Sequence, residues 1–347
     1  MASLSQSNTQ RQPRTSAATK TAILTVVLVA ALVASCLLSV AFGSRVVTFG
    51  QIVNAFAHPE VTDIASDAIR LRVPRTVLAI LVGAALAVSG ALMQGVMRNP
   101  LADPTILGLN SGAAFAIVWS IAFVGLSTPA QYMIVALAGG ALTAMAVWAV
   151  GSIGRSGPSP LKFTLAGAVI GSVLSSLTSA ITLPRTDVIS TYRFWQVGGV
   201  SGGRFELMAP VMPLMAVGFA VAALSARQLN ALAMGDQMAA GLGVDVNRAR
   251  MMAWSGAVLL SATSTALAGP IGFVGLVVPH AARLIVGADY RRILAMSALI
   301  GPLLLVASDV IGRVVSRPDD VEVGIVTALI GAPVFIALVR RRSMPEV

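Results

Sequence analysis

The stretch that decides the fold runs from Arg72 to Ala114 and reads RVPRTVLAILVGAALAVSGALMQGVMRNPLADPTILGLNSGAA. Its first part, Val73 to Met97, is an apolar run long enough to cross the membrane, which takes roughly 20 residues in a helix. A segment rich in proline and glycine follows, and a second apolar run begins near Ile106. Non-helical backbone at membrane depth persists only where protein buries it or where it lines a polar cavity. The stretch therefore predicts a membrane-spanning helix followed by a candidate pathway element, with an ordinary tight turn as the alternative.

The composition extends this pattern to the whole chain. Of its 347 residues, 56% are apolar and 11% are charged, and the mean hydropathy is +0.85. Soluble domains carry roughly 25% charged residues, so a water-soluble fold is disfavoured, as are a disordered chain and a β-barrel. The expected fold class is an all-α polytopic membrane protein with about ten transmembrane helices. The apolar runs lie near residues 21–42, 73–97, 106–126, 131–153, 163–183, 207–224, 251–268, 273–286, 293–315 and 323–339.

The distribution of charge predicts the orientation of the chain. Residues 1–20 and 343–347 are expected to be cytoplasmic tails, the first of them disordered, on either side of a transmembrane domain of residues 21–342. With both termini inside, 15 of the 24 basic residues lie on the inner side, as the positive-inside rule requires. The stretch from Val33 to Cys36 is also similar to a lipoprotein cleavage site. Its apolar run continues to Phe42, however, which favours a transmembrane helix.

Several kinds of chemistry find no support in the residues. The basic residues are scattered between apolar runs, so the net charge of +10 does not indicate nucleic-acid binding. Neither Lys20 nor Lys162 follows the glycines of a phosphate loop, so the chain is not expected to hydrolyse ATP by that route. His58 and His280 have no cysteine or carboxylate cluster beside them, so we expect neither a metal site nor a catalytic one. No cofactor is expected in this chain.

One acidic residue, Asp309, falls inside a predicted span. It lies four residues before Arg313, near the outer end of its run, and this spacing favours a structural ion pair over a proton carrier. Because ion-coupled transporters usually carry ionisable residues within their spans, the scarcity of such residues weakens that interpretation. An ion-coupled secondary transporter and a membrane scaffold without transport activity stay as alternatives.

The inner segment from Ala226 to Arg250 reads ARQLNALAMGDQMAAGLGVDVNRAR. It combines a helical pattern, a break at Gly241-Leu242-Gly243 and charges of both signs. This pattern predicts a short cytoplasmic helix that lies against the membrane. Its methionine and alanine content is apolar enough to favour a protein partner over a plain loop.

Four blocks in this order resemble the FecCD family: the stretch from Arg72, SARQLNALAMGDQMAAGLGVDV from Ser225, AGPIGFVGLVVPHAARLIVGADYRR from Ala268 and VGIVTALIGAPVF from Val323. Members are permease subunits of binding-protein-dependent ABC importers for iron-siderophore complexes, haem and cobalamin. The resemblance implies ten helices per subunit, in a bacterial cytoplasmic membrane. It also implies a second permease, identical or paralogous, two ATPase subunits that bind ATP and Mg²⁺, and an extracytoplasmic binding protein. An iron-siderophore is the expected substrate, with haem or cobalamin as the alternative.

The resemblance also implies roles for particular positions. The expected cytoplasmic gate consists of Asn99, Leu101, Ser159, Pro160 and Leu161. The expected ATPase coupling residues are Asp236, Gln237, Leu242, Gly243, Val244 and Asp245, where glycine permits a sharp turn. The arginines expected to meet glutamates of the binding protein are Arg72, Arg75 and Arg313, because a planar guanidinium pairs carboxylates bidentately. Two positions depart from the family pattern, since Ala295 and Glu322 stand where proline is usual.

Overall fold

The computed structural model describes residues 17–43, 50, 51, 54, 57, 63–154 and 159–341, and this part of the chain is helical, with no strand assigned in it. The α-helices are α1 (Ala17–Ala41), α2 (Ile64–Met97), α3 (Leu109–Val124), α4 (Pro129–Gly151), α5 (Pro160–Thr182), α6 (Thr186–Val197), α7 (Phe205–Met208), α8 (Met212–Ala233), α9 (Asp236–Gly241), α10 (Val246–Ala268), α11 (Val274–Val286), α12 (Tyr290–Val315) and α13 (Val323–Arg341). A 3-10 helix, Pro104–Leu107, precedes α3.

Each predicted span overlaps a helix, and the span predicted at 207–224 covers the end of α7 and the first half of α8. Within the described part of the chain, seven helices are long and apolar enough to cross a membrane, and the shorter apolar helices α3, α11 and α13 account for the other three spans. The prediction of an all-α polytopic protein with about ten spans is therefore confirmed. Some helix ends differ from the predicted ones, because α2 begins nine residues earlier, at Ile64, and α8 continues to Ala233. Helix α1 begins at Ala17, within the expected tail of residues 1–20. The rest of that tail and the expected tail of residues 343–347 lie outside the described residues.

Helix α2 lies at the centre of the bundle. Of its apolar window, 78% is buried, against 11% for α1. It packs against α8, α10, α11 and α12. The sequence of α2 is apolar on every side, which suits a helix surrounded by other helices. Since α2 begins at the predicted outer end and finishes at the predicted gate, it connects the two ends of the molecule.

Glycines allow the neighbouring helices to approach α2 closely. A Cβ atom added at Gly83 would lie 2.6 Å from the carbonyl oxygen of Gly301 in α12. Gly90 lies against Gly275 of α11 in the same way. Small residues of this kind let helix backbones come together within membranes. The backbones of α2, α11 and α12 are therefore closely packed at these glycines.

An aromatic cluster anchors the first turns of α5. Phe163 stacks on Trp148 of α4 with a centroid distance of 4.9 Å, and it lies 4.6 Å from the ring of Trp254 in α10. The two tryptophan rings meet edge to face at 5.1 Å. Aromatic pairs at such distances add to the stabilisation by burial. The cluster therefore fixes the end of α5 that carries the predicted gate residue Leu161.

Candidate functional site

The predicted gate residues Asn99 and Leu101 lie in a tight loop after α2. The helix ends at Met97, and Arg98 caps it in the left-handed conformation, with φ 47° and ψ 33°. The Oδ1 atom of Asn99 accepts a 3.0 Å hydrogen bond from the Leu101 N–H, and its carbonyl accepts one of 3.0 Å from Ala102. A local side-chain bond of this kind is typical of a tight turn. Asn99 is exposed and Leu101 is half-buried, so both can face another subunit.

The other three predicted gate residues form the N-terminal end of α5. Ser159 is the N-cap, and its Oγ accepts a 3.4 Å hydrogen bond from the Lys162 N–H. Pro160 occupies the first turn, where a helix needs no N–H donor. The Leu161 side chain is 69% exposed. An exposed leucine fits a gate in which apolar side chains of two permease subunits meet. That the gate residues meet across a dimer axis stays a prediction.

The 3-10 helix Pro104–Leu107 follows the loop of Asn99 in sequence and packs against α5. A Cβ atom added at Gly108, just after it, would lie 3.1 Å from the Gly167 carbonyl oxygen and 3.2 Å from the Gly171 Cα. Asp103 caps the 3-10 helix, and its Oδ1 accepts a 2.8 Å hydrogen bond from a backbone N–H. Burial raises the pKa of the Asp103 carboxyl above its usual value, and this hydrogen bond opposes the rise. The two gate segments therefore belong to one packed unit.

A polar cavity of about 520 Å³ opens beside α5, between α3, α5 and α6. The Ser175 hydroxyl donates a 3.2 Å hydrogen bond to Ser111 Oγ across it. Polar side chains are expensive against lipid, so this face of α5 fits a pathway or a subunit interface. The polar lining residues are Asn110, Ser111, Ser175, Thr178, Ser179, Thr182, Tyr192, Arg193 and Gln196.

The predicted coupling segment is a single helical turn closed by a glycine. Gly243 has φ +80°, which a residue with a side chain rarely adopts. Its N–H donates to the Ala240 carbonyl at 2.9 Å, and the Val244 N–H donates to the Ala239 carbonyl at 3.0 Å. This pair of bonds is the Schellman motif that ends many helices. The sharp turn predicted at Gly243 is confirmed.

The same segment presents apolar side chains on its surface. Met234, Met238 and Leu242 are 56%, 59% and 60% exposed, and Gln237 beside them is exposed as well. Met238 and Leu242 lie one turn apart along α9, and Met234 is the C-cap of the preceding helix α8. Exposed apolar patches mark protein interaction sites. This surface supports the predicted partner contact.

The remaining coupling residues have roles inside the chain. Asp245 is the N-cap of α10, and its Oδ1 accepts a 3.1 Å hydrogen bond from the Arg248 N–H. Val244 is half-buried and packs against the main hydrophobic core. Asp236 accepts hydrogen bonds from the side chains of Arg98 and Arg250. The segment is therefore fixed to the bundle at both of its ends.

The arginines predicted to meet a binding protein are buried at the other end of the bundle. Arg72, Arg75 and Arg313 are 7%, 8% and 2% exposed. The Nη1 atom of Arg72 donates to the carbonyl oxygens of Val40 and Ala41 at 2.9 and 3.2 Å. These carbonyls belong to the last turn of α1, where they have no helical donor. Arg72 thereby attaches α1 to α2.

Arg75 and Arg313 share one carboxylate, that of Asp309. Their Nη2 atoms lie 2.8 Å from its Oδ1 and Oδ2 atoms, respectively. Arg75 also pairs with Asp320 at 2.7 Å, and Arg313 donates to Ser39 Oγ at 2.7 Å. The predicted structural pair of Asp309 and Arg313 is confirmed. A docking role for these arginines stays a prediction, and these guanidinium groups already bind partners within the chain.

An outer cavity of about 620 Å³ lies over these side chains. Arg72, Arg75 and Arg313 line it, together with the exposed Arg204. Gly203 positions that exposed arginine, because a Cβ atom added there would lie 2.8 Å from the Arg75 Cα. The loop before α7 therefore rests directly on α2. A carboxylate that enters this cavity would meet Arg204 first.

Comparison with known families decides what this arrangement is. The model of the FecCD transport family matches residues 30–341, nearly the whole chain. The chain belongs to the FecCD transport family.

Named FecCD relatives are similar to the chain over most of its length. The ferric enterobactin transport system permease protein FepD of Escherichia coli is 39% identical over 306 residues, covering 88% of this chain and 91% of FepD. The iron(3+)-hydroxamate import system permease protein FhuB of Bacillus subtilis is 38% identical, covering 88% and 79%. The cobalamin import system permease protein BtuC of Halobacterium salinarum is 39% identical, covering 83% and 77%.

A solved structure shares the fold. One chain of a metal-chelate type ABC transporter in an inward-facing conformation superposes with a TM-score of 0.80 and 27% identity, covering 92% of this chain and 99% of the other. The FecCD chain is thus a multi-pass membrane protein of the ABC permease kind. Among the described residues, no group of three His, Cys, Asp or Glu side chains could hold a metal ion.

The polar face of α5 in this FecCD chain was not predicted from the sequence. Ser172, Ser175, Ser176 and Ser179 are all exposed, and their spacing of three and four residues places them on one side of the helix. The feature of the sequence that could have revealed this face is a stripe of serines on a predicted span. It matters because such a stripe identifies the side of a membrane helix that avoids lipid.

The two departures from the FecCD pattern lie in different surroundings. Glu322 accepts a 2.8 Å hydrogen bond from Ser201 Oγ through its Oε1 atom, next to α13. This contact ties the loop before α7 to the loop before α13. Ala295 is exposed on the first turns of α12, and nothing in the structure explains its replacement of proline.

Proposed function

We propose that this FecCD chain is the permease subunit of a binding-protein-dependent ABC importer that moves an iron-siderophore complex into the cytoplasm. The observation that carries the proposal is the family match over residues 30–341, joined by relatives named for ferric chelates. ATP hydrolysis by a separate ATPase would drive the transport. ATP and Mg²⁺ would bind to that partner, and this chain would contribute no cofactor.

The proposed assembly contains two permeases, two ATPases and one extracytoplasmic binding protein, in a bacterial cytoplasmic membrane. The polar face of α5 would meet the pathway between the permeases, with Asn99, Leu101 and Leu161 at its cytoplasmic end. The patch of Met234, Met238 and Leu242 would enter a groove on the ATPase. Both chain termini would be cytoplasmic. The excess of basic residues on that side supports this orientation.

The binding protein would dock over the outer cavity. Its acidic residues would meet Arg204 at the surface and, deeper, the predicted docking residues Arg72, Arg75 and Arg313. Arg75 and Arg313 already pair with Asp309 inside the chain. We therefore propose that these two arginines chiefly maintain the shape of the outer cavity. Charge complementarity at such a surface sets the rate and specificity of docking more than its affinity.

The ion-coupled alternative depends on an acidic residue that changes its protonation during transport. Asp309 is 1% exposed and lies between two arginines at 2.8 Å. Both of its carboxylate oxygens therefore already have arginine partners within the chain. This arrangement supports transport driven by a partner's ATP rather than by an ion gradient.

Cobalamin is the second candidate substrate, because BtuC of Halobacterium salinarum is as similar to this chain as the iron permeases are. The polar cavity beside α5 accepts either kind of cargo by its chemistry, since hydroxyl and amide groups bind both carboxylates and amides. The binding protein would supply the discrimination between the two substrates. The experiment below therefore includes both.

Uptake into proteoliposomes tests the proposal. The permease, its ATPase and its binding protein are reconstituted, and radiolabelled ferric siderophore or cobalamin is added outside, with ATP enclosed. We expect ferric-siderophore uptake that needs both ATP and the ATPase and that survives an ionophore. Uptake without the ATPase, or uptake that an ionophore abolishes at constant ATP, would contradict the proposal. Uptake of cobalamin alone would identify cobalamin, instead of a ferric siderophore, as the substrate.

A further inference from the structure

Three cytoplasmic side chains join the coupling segment to the gate loop. Asp236 is the first residue of α9, Arg98 caps α2, and Arg250 lies in the first turns of α10. Arg98 Nη2 donates to the Asp236 Oδ1 atom, and Arg250 Nη2 donates to both carboxylate oxygens at 2.9 Å. One carboxylate thus connects three separate elements.

The three side chains differ in how far they are exposed to solvent. The side chain of Arg250 is 7% exposed, whereas those of Arg98 and Asp236 are 33% and 46% exposed. Arg250 is therefore fixed in the bundle, and the contact between Arg98 and Asp236 lies at the surface. An exposed ion pair adds little to stability. Its position between two segments that must move together is the more informative property.

Arg98 is adjacent in sequence to the gate loop. Its backbone is left-handed, with φ 47°, and Asn99 and Leu101 follow it in the turn described above. Because Arg98 is not glycine, this conformation costs energy, and backbone hydrogen bonds from Arg98 and Asn99 to Gly95 and Gln94 close the turn. The Asp236 carboxylate supplies a contact to that same residue. A displacement of Asp236 would therefore change the restraint on the turn that carries Leu101.

We propose that Asp236 and Arg98 form a relay that transmits movement of the coupling segment to the gate loop. Asp236 is thus a positioning residue rather than only an ATPase contact. Arg250 serves as the fixed support, because it holds the same carboxylate from the buried side. The relay rests on the proposed function, since it supposes that an ATPase displaces α9. The contact itself is a property of the permease alone and can be tested without transport.

The first experiment examines the permease by itself. Cys36 is the single cysteine of the chain, so C36S gives a background for a nitroxide label at L101C. We expect D236N and R98Q each to increase the mobility of this label, and the double variant to do no more than D236N alone. D236E should keep the original spectrum, because it retains the carboxylate.

R292Q is the matched control in this experiment. Arg292 forms a local pair with Asp289 at 3.8 Å in the first turn of α12. Its variant should leave the label unchanged. An unchanged spectrum in D236N, or additive effects of D236N and R98Q, would overturn the relay. Two changes that break one contact cannot add.

The second experiment measures coupling in the reconstituted importer. D236N and R98Q should lower the number of chelates imported per ATP hydrolysed by about tenfold, while the ATPase still co-purifies with the permease. R292Q should match the wild type. Loss of ATPase binding in D236N, or a parallel loss of uptake and hydrolysis, would make Asp236 a docking contact and overturn the relay. If the wild type itself imports nothing, the proposed function fails, and the label experiment still decides the relay.

Discussion

Two clusters of arginine and aspartate lie at opposite ends of this FecCD permease and differ in burial. In the outer cluster, the side chains of Arg75, Asp309 and Arg313 are 10%, 1% and 3% exposed. In the inner cluster, Asp236 and Arg98 are 46% and 33% exposed. A buried network is costly to open, whereas surface contacts can break and form again. The comparison indicates a rigid outer end and an inner end that can move.

The largest effect is expected from the outer cluster. D309N removes the charge that two buried arginines share, so we expect a loss of roughly 3–5 kcal/mol, as when one partner of a buried pair is removed. Thermal unfolding of the detergent-solubilised permease measures it. D320N is the matched control, since Asp320 is 29% exposed and touches only one of these arginines. Equal stability of D309N and the wild type would contradict a rigid outer end.

A large effect of another kind is expected at the inner end. G243W places a bulky residue at φ +80°, which distorts the turn after α9, although a Cβ atom added there would clash with no atom beyond the adjacent residues. We expect ATPase association to disappear in a pull-down, while the unfolding temperature of the permease changes little. G243N is the control, because asparagine tolerates left-handed backbone. Retention of the ATPase by G243W would contradict the coupling role.

A smaller effect separates rigidity from docking at the outer end. R204E reverses an exposed charge, and we expect about tenfold weaker affinity for the binding protein with unchanged thermal stability. R72Q removes the bonds to Val40 and Ala41, so it should lower thermal stability instead. Titration of the binding protein onto solubilised permease measures both affinities. Weaker docking of R72Q at full stability would establish Arg72 as a direct contact.

The smallest effect concerns pH at the inner end. The Asn230 side chain donates a 2.8 Å hydrogen bond to Asp289, and this bond lowers the pKa of the carboxyl. A lowered pKa contributes stability above the unfolded-state value, and this contribution is lost as pH falls through the native value. The unfolding temperature of N230A should therefore depend slightly less on pH in that acidic range. A steeper dependence in N230A would contradict this assignment.

Most of the fold could be predicted from hydrophobicity, and the errors have a common cause. The predicted second span begins at Val73, yet α2 starts at Ile64, the first residue of the charged stretch IASDAIRLR. Arg72 of this stretch is buried because its guanidinium donates to the carbonyl oxygens of Val40 and Ala41. Those partners lie 32 and 31 positions away, and no local pattern reveals such a pairing.

The candidate site also combines features that local sequence predicts with contacts that only the fold creates. The turn at Gly243 and the gate loop at Asn99 follow from local residues, so the sequence predicts them. The contact between Arg98 and Asp236 joins residues 138 positions apart, and the fold alone brings them together. The serine face of α5 was visible in the spacing of Ser172 and Ser179. The role of this serine face follows only from the structure, which shows that the serines are exposed.

We expect the inner cluster to move during the ATPase cycle and the outer cluster to stay fixed. In the C36S background, a nitroxide at L101C reports on the inner end, and one at L71C reports on the outer end, where Leu71 is 67% exposed. Spectra are compared for the complex of permease and ATPase, without nucleotide and after hydrolysis with ADP trapped by vanadate. The expected result is a change at residue 101 and none at residue 71. A change at residue 71, or an unchanged spectrum at residue 101, would contradict a rigid outer end and a mobile inner end.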